Sequence, residues 1–379
     1  MTAWGTYVHV PFCRIRCPYC AFHVDPDHMA DHAGFVDAVI AEHTRRRADF
    51  PGAPITVYLG GGTPSRLPVP QLTRLLDGLG ARDAGEITME ANPEDVSPAW
   101  IAAVMSAGVN RVSLGVQTLS PRHARTLGRA RTPVDARAAV AALREAQMPT
   151  WSVDLMFGLH DQTLDELYAD IDAILALDPP HISLYGLTIE DGTGYARAHE
   201  RGRLAPADDD RWHAMYGALV SRLKAAGLHR YEVSNFAREG QRSVHNAGYW
   251  HARPYLGLGP SAHGLAPDGT RWANVSDTAG WQQDPVGTAT VEHPDREDVA
   301  VERLLSGMRT VEGVSVAALT ADTGLRPDAP TRARLVAGGL LVDDDIGIRL
   351  TDDGFYVADA VVRALVHALQ PVDPVALTR

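Results

Sequence analysis

Six short apolar runs, each followed by a stretch with helical spacing, constrain this chain more than any other feature. The runs are Thr6–Phe12, Ile55–Gly61, Glu86–Asn92, Arg111–Gln117, Trp151–Gly158 and His181–Leu187. Each is β-branched or aromatic and bounded by Gly, Pro or Asn, so each predicts a strand. Between them, apolar residues recur at three- and four-residue intervals. One helical segment opens on a T-x-x-E capping box (Thr163, Glu166). It runs through Leu164, Leu167, Tyr168, Ile171, Ile174 and Leu175 and stops before Pro179–Pro180. Another spans about Asp208–Ala226 and ends at Gly227. Strand–helix units in series predict a parallel α/β sheet with right-handed crossovers. Six units are two fewer than a closed eight-unit barrel needs, so an open, partial (β/α)6 barrel fits best. A doubly wound flat sheet stays open as the alternative, because periodicity does not separate the two.

After about residue 228 the texture changes. Residues 237–290 are rich in Gly, Pro, His, Trp and Asn, and read as an irregular cap or linker. From Asp298 a helix resumes (VAVERLLSGMRT). A second short helix (Val316–Asp322), a two-stranded ribbon around Leu340–Leu350 and a last helix follow, a winged-helix-like order. The expected organisation is therefore a barrel over 1–236, a cap over 237–297 and a C-terminal module over 298–379. The formal net charge of −12 argues against non-specific nucleic-acid binding, which draws its affinity from basic surface. No apolar run approaches the ~20 residues of a membrane span. The start, MTAWGTYVHVPFC, lacks the basic and apolar regions of a signal peptide. The expectation is a cytoplasmic protein whose membrane contact, if any, is peripheral.

The three cysteines fall within eight positions, C-R-I-R-C-P-Y-C, as Cys13, Cys17 and Cys20. An odd, crowded set is a poor disulfide framework and a good soft-donor loop. Three thiolates at C-x3-C-x2-C suit an iron–sulfur cluster with one iron left open for a small molecule. A closed zinc site needs a fourth ligand, which here would be His9 or His23. That reading would make the chain a zinc-stabilised interaction module. Polar residues and glycines also gather at the C-terminal ends of successive strands: Gly60–Thr63, Glu90 and Asn92, Gln117, and Asp154. In parallel α/β barrels that end carries the site, and buried carboxylates are costly without partners.

This set resembles the radical S-adenosylmethionine (SAM) superfamily: a cysteine triplet after the first strand, Tyr19 before its third cysteine, then a glycine motif. The resemblance implies a [4Fe–4S] cluster on Cys13, Cys17 and Cys20, with SAM chelated at the open iron and cleaved to a 5′-deoxyadenosyl radical by electron transfer from the reduced cluster. It implies that Tyr7 lines the SAM pocket and Tyr19 packs near the adenine. Gly61, Gly62 and Thr63 (GGGTPS) would meet the methionine amino group through backbone atoms, and Glu90 (MEANPE) would bind SAM. Gln117 (SLGVQT) and Asp154 (VDLMFGL) would contact the ribose and nearby groups, and Arg129 (TLGRA) would pair with the SAM carboxylate.

From about residue 5 to the C-terminal module the chain resembles the oxygen-independent coproporphyrinogen III oxidase-like family. One branch decarboxylates porphyrinogen propionates and the other is a haem-binding chaperone. Three features favour the chaperone branch. Phe22 stands where the dehydrogenase has a further cysteine. Only twelve residues precede Cys13, where the dehydrogenase carries a long extension. His245–Trp250 (HNAGYW) matches an H-N-x-x-Y-W motif of the chaperones. That motif implies an imidazole, His245, as a haem ligand, with Tyr249 and Trp250 covering the macrocycle. His251 and His263 lie close in sequence, and Gly257–Gly264 (GLGPSAHG) matches a family segment without an assigned role. The resemblance implies haem and haem-accepting respiratory membrane proteins as partners, with peripheral contact at the inner membrane; a homodimer stays open. The dehydrogenase activity is the alternative.

Overall fold

The computed structural model describes residues 3–129 and 131–372. Six of the parallel strands are those expected: β1 (Gly5–Val10), β2 (Thr56–Gly61), β3 (Glu86–Ala91), β4 (Arg111–Gln117), β5 (Thr150–Phe157) and β6 (His181–Gly186). Each pairs in parallel with the next, for example Val8 with Leu59 and Val153 with Ile182. The remaining strands of the sheet are β7 (His229–Arg230), β8 (Asn235–Ala237), β9 (Tyr255–Leu258), β10 (His263–Leu265), β11 (Arg271–Ala273) and β12 (Thr290–Glu292). The strand order is β12-β11-β10-β9-β1-β2-β3-β4-β5-β6-β8-β7, and its two ends do not meet. The sheet is an open, partial barrel.

Residues 255–292, expected to be irregular, instead extend the sheet beyond β1. Strand β9 lies parallel to β1, with Tyr7 opposite Gly257, and β10–β12 continue it antiparallel. The strands are three or four residues long and carry glycines that close packing demands, so alternation had too little length to show. A Cβ on Gly257 would sit 1.6 Å from the His263 carbonyl oxygen, and one on Gly264 would enter the Trp272 ring. The GLGPSAHG segment is thus β9, a turn and β10. Its turn is held by buried Glu42, which accepts from Gly259 N–H at 2.9 Å.

Period-two alternation in the strands sorts the two faces of the sheet. Val8, Val10, Val57, Leu59, Ile87, Met89, Val112, Leu114, Val153, Leu155, Ile182 and Leu184 pack with the helices in one apolar core. The alternate positions are polar or small: Gly5, Tyr7 and His9; Thr56, Tyr58 and Gly60; Glu86, Thr88 and Glu90; Arg111 and Ser113; Ser152 and Asp154; Ser183 and Tyr185. They share the inner face of the sheet, where neighbouring strands join through the Tyr58–Glu90 and Ser113–Ser152 hydrogen bonds, both 2.8 Å.

The capping box at Thr163 and Glu166 forms, and the helix it opens spans Leu164–Leu175. The next predicted helix is Asp209–Ala225, capped by Asp208. The C-terminal module has its own core. It comprises helices Arg296–Gly307, Val316–Thr323 and Ala329–Ala337, the ribbon Leu341–Asp343 with Ile348–Leu350, and helix Ala358–His367. The helix Ala329–Ala337, capped by Asp328, is absent from the expected order. Its LVAGG end merges in sequence with the apolar run of the ribbon.

Candidate functional site

Past the end of β1, Phe12 and Cys13 pair with Asp25 and Pro26, and Asp25 N–H donates to the Pro11 carbonyl at 2.8 Å. This closes residues 13–25 into a loop over the C-terminal mouth of the barrel. The three thiols are free and half-buried. Burial pushes the Cys13 thiol up to about 11, against a 3.1 Å contact with Thr63 Oγ1 that pulls it down. Burial likewise raises Cys20. Among the described residues no three His, Cys, Asp or Glu side chains converge tightly enough to hold a single metal ion. His9 is engaged elsewhere: Nδ1 meets the Tyr7 hydroxyl at 3.3 Å and Nε2 the His23 carbonyl at 2.9 Å.

The strand ends place most of the expected site residues around this loop. Gly61 has φ +107°, and a Cβ there would meet the His9 ring at 2.6 Å. A Cβ on Gly62 would lie 2.7 Å from the Pro11 carbonyl. Glycine is therefore demanded by packing on β1, apart from any ligand. The Gly62 and Thr63 N–H groups are spent on the Val10 and Phe12 carbonyls, each at 2.8 Å. Gly61 N–H donates to Glu90 Oε2 at 3.2 Å, and the Tyr58 hydroxyl donates to Oε1 at 2.8 Å. Burial pushes Glu90 up to about 7, with Asp154 adding to the rise and those two hydrogen bonds opposing it. Burial also raises Asp154, which accepts from Ser113 Oγ at 3.2 Å. The Tyr7 ring stacks near Tyr58, 6.2 Å between centroids. Gln117 sits at a register shift between β4 and β5, at φ +65°, a conformation costly for a non-glycine residue.

Arg129 reaches the same mouth. Nε donates to the Tyr19 hydroxyl at 3.2 Å, and Nη1 donates to Asn92 Oδ1 at 2.7 Å and to the Gly115 carbonyl at 3.0 Å. All three acceptors are neutral, and Nη2 has no hydrogen bond among the described residues. A half-buried guanidinium with no carboxylate in hydrogen-bond reach, Glu94 acting on it only from farther off, suits an anionic group of a ligand. Three free soft thiols beside it suit an iron–sulfur cluster. The residues present therefore fit both groups that the resemblance implies.

The structure does not bring His245 to this mouth. It lies in helix Val244–Trp250, at the opposite end of the strands, and is 3% exposed. Nδ1 meets Thr56 Oγ1 and Nε2 meets the Tyr249 hydroxyl, both at 2.8 Å. Its ring stacks on Tyr58 at 5.2 Å. The cavity beside it, lined by Gly5, Thr56, Tyr249 and Tyr255, is about 10 Å³, room for one water and no macrocycle. Burial lowers this imidazole to about 3. His251 and His263 are exposed.

Sequence reasoning missed other parts of the mouth. Asn92 stands out in the sequence only as one more polar residue at a strand end. Gly194 and Tyr195 carried no signal at all, yet Tyr195 N–H donates to the Pro18 carbonyl at 2.9 Å. A Cβ on Gly194 would crowd that carbonyl oxygen at 3.1 Å. Tyr58, which links Glu90 to His245, was legible only as every second polar residue on β2.

Comparison with known proteins follows the same lines. The Radical SAM superfamily model matches residues 7–174, and the HemN C-terminal domain matches residues 295–357. The solved coproporphyrinogen III oxidase (HemN) of Escherichia coli, described as a radical SAM enzyme, superimposes with TM-score 0.80 at 20% identity. That match covers 96% of this chain and 90% of that one. Proteins named heme chaperone HemW are more similar in sequence. The one from Mycobacterium tuberculosis is 36% identical over 96% of this chain and 94% of its own length. That of Bacillus subtilis is 32% identical over 96% and 100%, and that of Escherichia coli 34% over 92% and 94%. Spanning these relatives almost end to end, the chain belongs to the HemW family of the radical SAM superfamily.

Proposed function

We propose that this protein is a haem chaperone that carries a [4Fe–4S] cluster and SAM, binds haem, and passes haem to respiratory haem proteins at the inner face of the membrane. The observation that carries the reading is the extent of likeness to the heme chaperones, which runs through both the barrel and the C-terminal module. In this reading Cys13, Cys17 and Cys20 hold the cluster. Arg129 takes the SAM carboxylate with its uncommitted nitrogen. The glycine turn has spent its N–H groups, so it offers carbonyl oxygens to the amino group, and Glu90 stands behind them. Tyr7, Tyr19, Gln117 and Asp154 complete the pocket. When bound, cluster and nucleotide supply one-electron chemistry that no side chain here provides. His245 is committed on both nitrogens, so haem ligation by it is not part of the proposal. No helix among the described residues is long and apolar enough to cross a membrane, which agrees with a cytoplasmic protein that meets its acceptors peripherally.

The test uses cluster-reconstituted protein under anaerobic conditions. Haem should bind and give a saturable Soret change, and an apo-haemoprotein acceptor should then take the haem up. Coproporphyrinogen III with SAM and a reductant should give no protoporphyrinogen. Turnover of coproporphyrinogen III would instead establish the dehydrogenase, and one zinc without sulfide would establish the interaction module.

A further inference from the structure

The hydrogen bonds at the barrel mouth close a ring. Cys13 Sγ contacts Thr63 Oγ1 at 3.1 Å, and Asn92 Nδ2 donates to Thr63 Oγ1 at 3.4 Å. Arg129 Nη1 donates to Asn92 Oδ1 at 2.7 Å, and Arg129 Nε donates to the Tyr19 hydroxyl at 3.2 Å. Both ends of this path, Cys13 and Tyr19, belong to the cysteine loop. Its middle passes through the ends of β2 and β3 and the segment after β4. The loop is also held by Pro18, against Tyr195 N–H and Gly128, by the Arg14–Glu94 ion pair, by His9 on the His23 carbonyl, and by Thr278, which meets His23 and Asp25; the ring is the part of this attachment that includes Arg129. Asn92 is the only member of the ring that uses both a donor and an acceptor of one planar amide. A hydrocarbon side chain there would cut the ring in two places at once. An aspartate would keep an acceptor for Thr63 and Arg129 while adding a charge.

We propose that Asn92 is a positioning residue that couples the cysteine loop to Arg129, so that loop order and carboxylate binding depend on one amide. The proposal rests on the reading that this loop holds the cluster and Arg129 the SAM carboxylate. The amide is neutral, so it holds the guanidinium in place without neutralising it and keeps it available to an anionic ligand. A carboxylate at the same position would hold the arginine too, and would compete for it.

The test has two arms on the full chain. In the apoprotein, Arg14 and Arg16 are exposed within the loop, so trypsin cleavage there, followed by mass spectrometry, reports loop opening. Asn92→Leu should raise cleavage at these two sites about tenfold, the loss expected for one charge-assisted hydrogen bond. Cleavage at Arg222, inside helix Asp209–Ala225, should not change. Asn92→Asp should keep parental protection. In the reconstituted protein, SAM titration followed by the paramagnetic spectrum of the reduced cluster should show Asn92→Asp weakened about tenfold. Parental cleavage of Asn92→Leu, or parental SAM affinity of Asn92→Asp, would overturn the proposal. If Asn92→Leu also exposes Arg222, Thr63→Val, which cuts the ring one link away, decides the apoprotein arm by the same criterion. A parent protein that assembles no cluster would overturn the functional reading alone, and the trypsin arm would still decide whether Asn92 secures the loop.

Discussion

Glu90 shows how a polar barrel interior sets the behaviour of one carboxyl group. Its ordinary value is 4.5 and its value in the fold is about 7, raised mainly by burial. The fold therefore binds this proton more tightly than the unfolded chain does. Its contribution to stability is present below about pH 4.5 and declines as pH rises through 7. Glu232, buried where the C-terminal module attaches, is also raised to about 7 and acts in the same direction. Buried Asp154, Glu42 and Asp170 are raised as well, so Glu90→Gln should remove part of the fall in apoprotein melting temperature between pH 5 and pH 8. An unchanged slope would show that Glu90 ionises freely in the folded protein. This residue could be picked from sequence because a glutamate interrupts an apolar strand. Its partner Tyr58 could not, since a tyrosine in a strand is unremarked.

At the level of elements, the helix Val244–Trp250 stands out because its seven residues could not persist alone. It is held from its first turn. Glu86 accepts from Val244 N–H at 2.8 Å and from His245 N–H at 2.9 Å, and His245 pins the side of the helix to Thr56. His245→Ala leaves the Thr56 and Tyr249 hydroxyls unsatisfied in a buried niche, so it should cost about 2–4 kcal/mol. Denaturant unfolding should show this loss, while the haem absorption spectrum stays parental. An altered haem spectrum with unchanged stability would instead make the imidazole a ligand. The motif H-N-x-x-Y-W was visible in the sequence, but its position was not. Nothing in seven residues reports which end of a barrel they will close. The six parallel strands and the two capped helices were legible because each carries a full period of alternation or a terminal signal. Strand β9 and helix Ala329–Ala337 lacked the length or the contrast.

Over the whole molecule, the barrel and the C-terminal module are joined by main-chain pairing and by side chains, among them the Arg242–Glu312 and Arg271–Glu302 ion pairs and Tyr356 against Tyr216. Val233 N–H donates to the Arg309 carbonyl at 2.9 Å and Val311 N–H to the Tyr231 carbonyl at 3.1 Å. Arg230 pairs with Asp352 and lies 3.8 Å from the Phe355 ring centre. Arg230→Ala should weaken this junction by about 1–2 kcal/mol. Calorimetry should then resolve two transitions, or one clearly broader transition, where the parent shows one. A sharp single transition shifted by less than a degree would mean that the remaining contacts unite the cores without Arg230.

With helix Val244–Trp250 lodged in one end of the barrel and the cysteine loop arched over the other, both ends of the polar interior are occupied. A ligand seated under the cysteine loop would thus find the far end of the barrel already plugged by this chain's own helix.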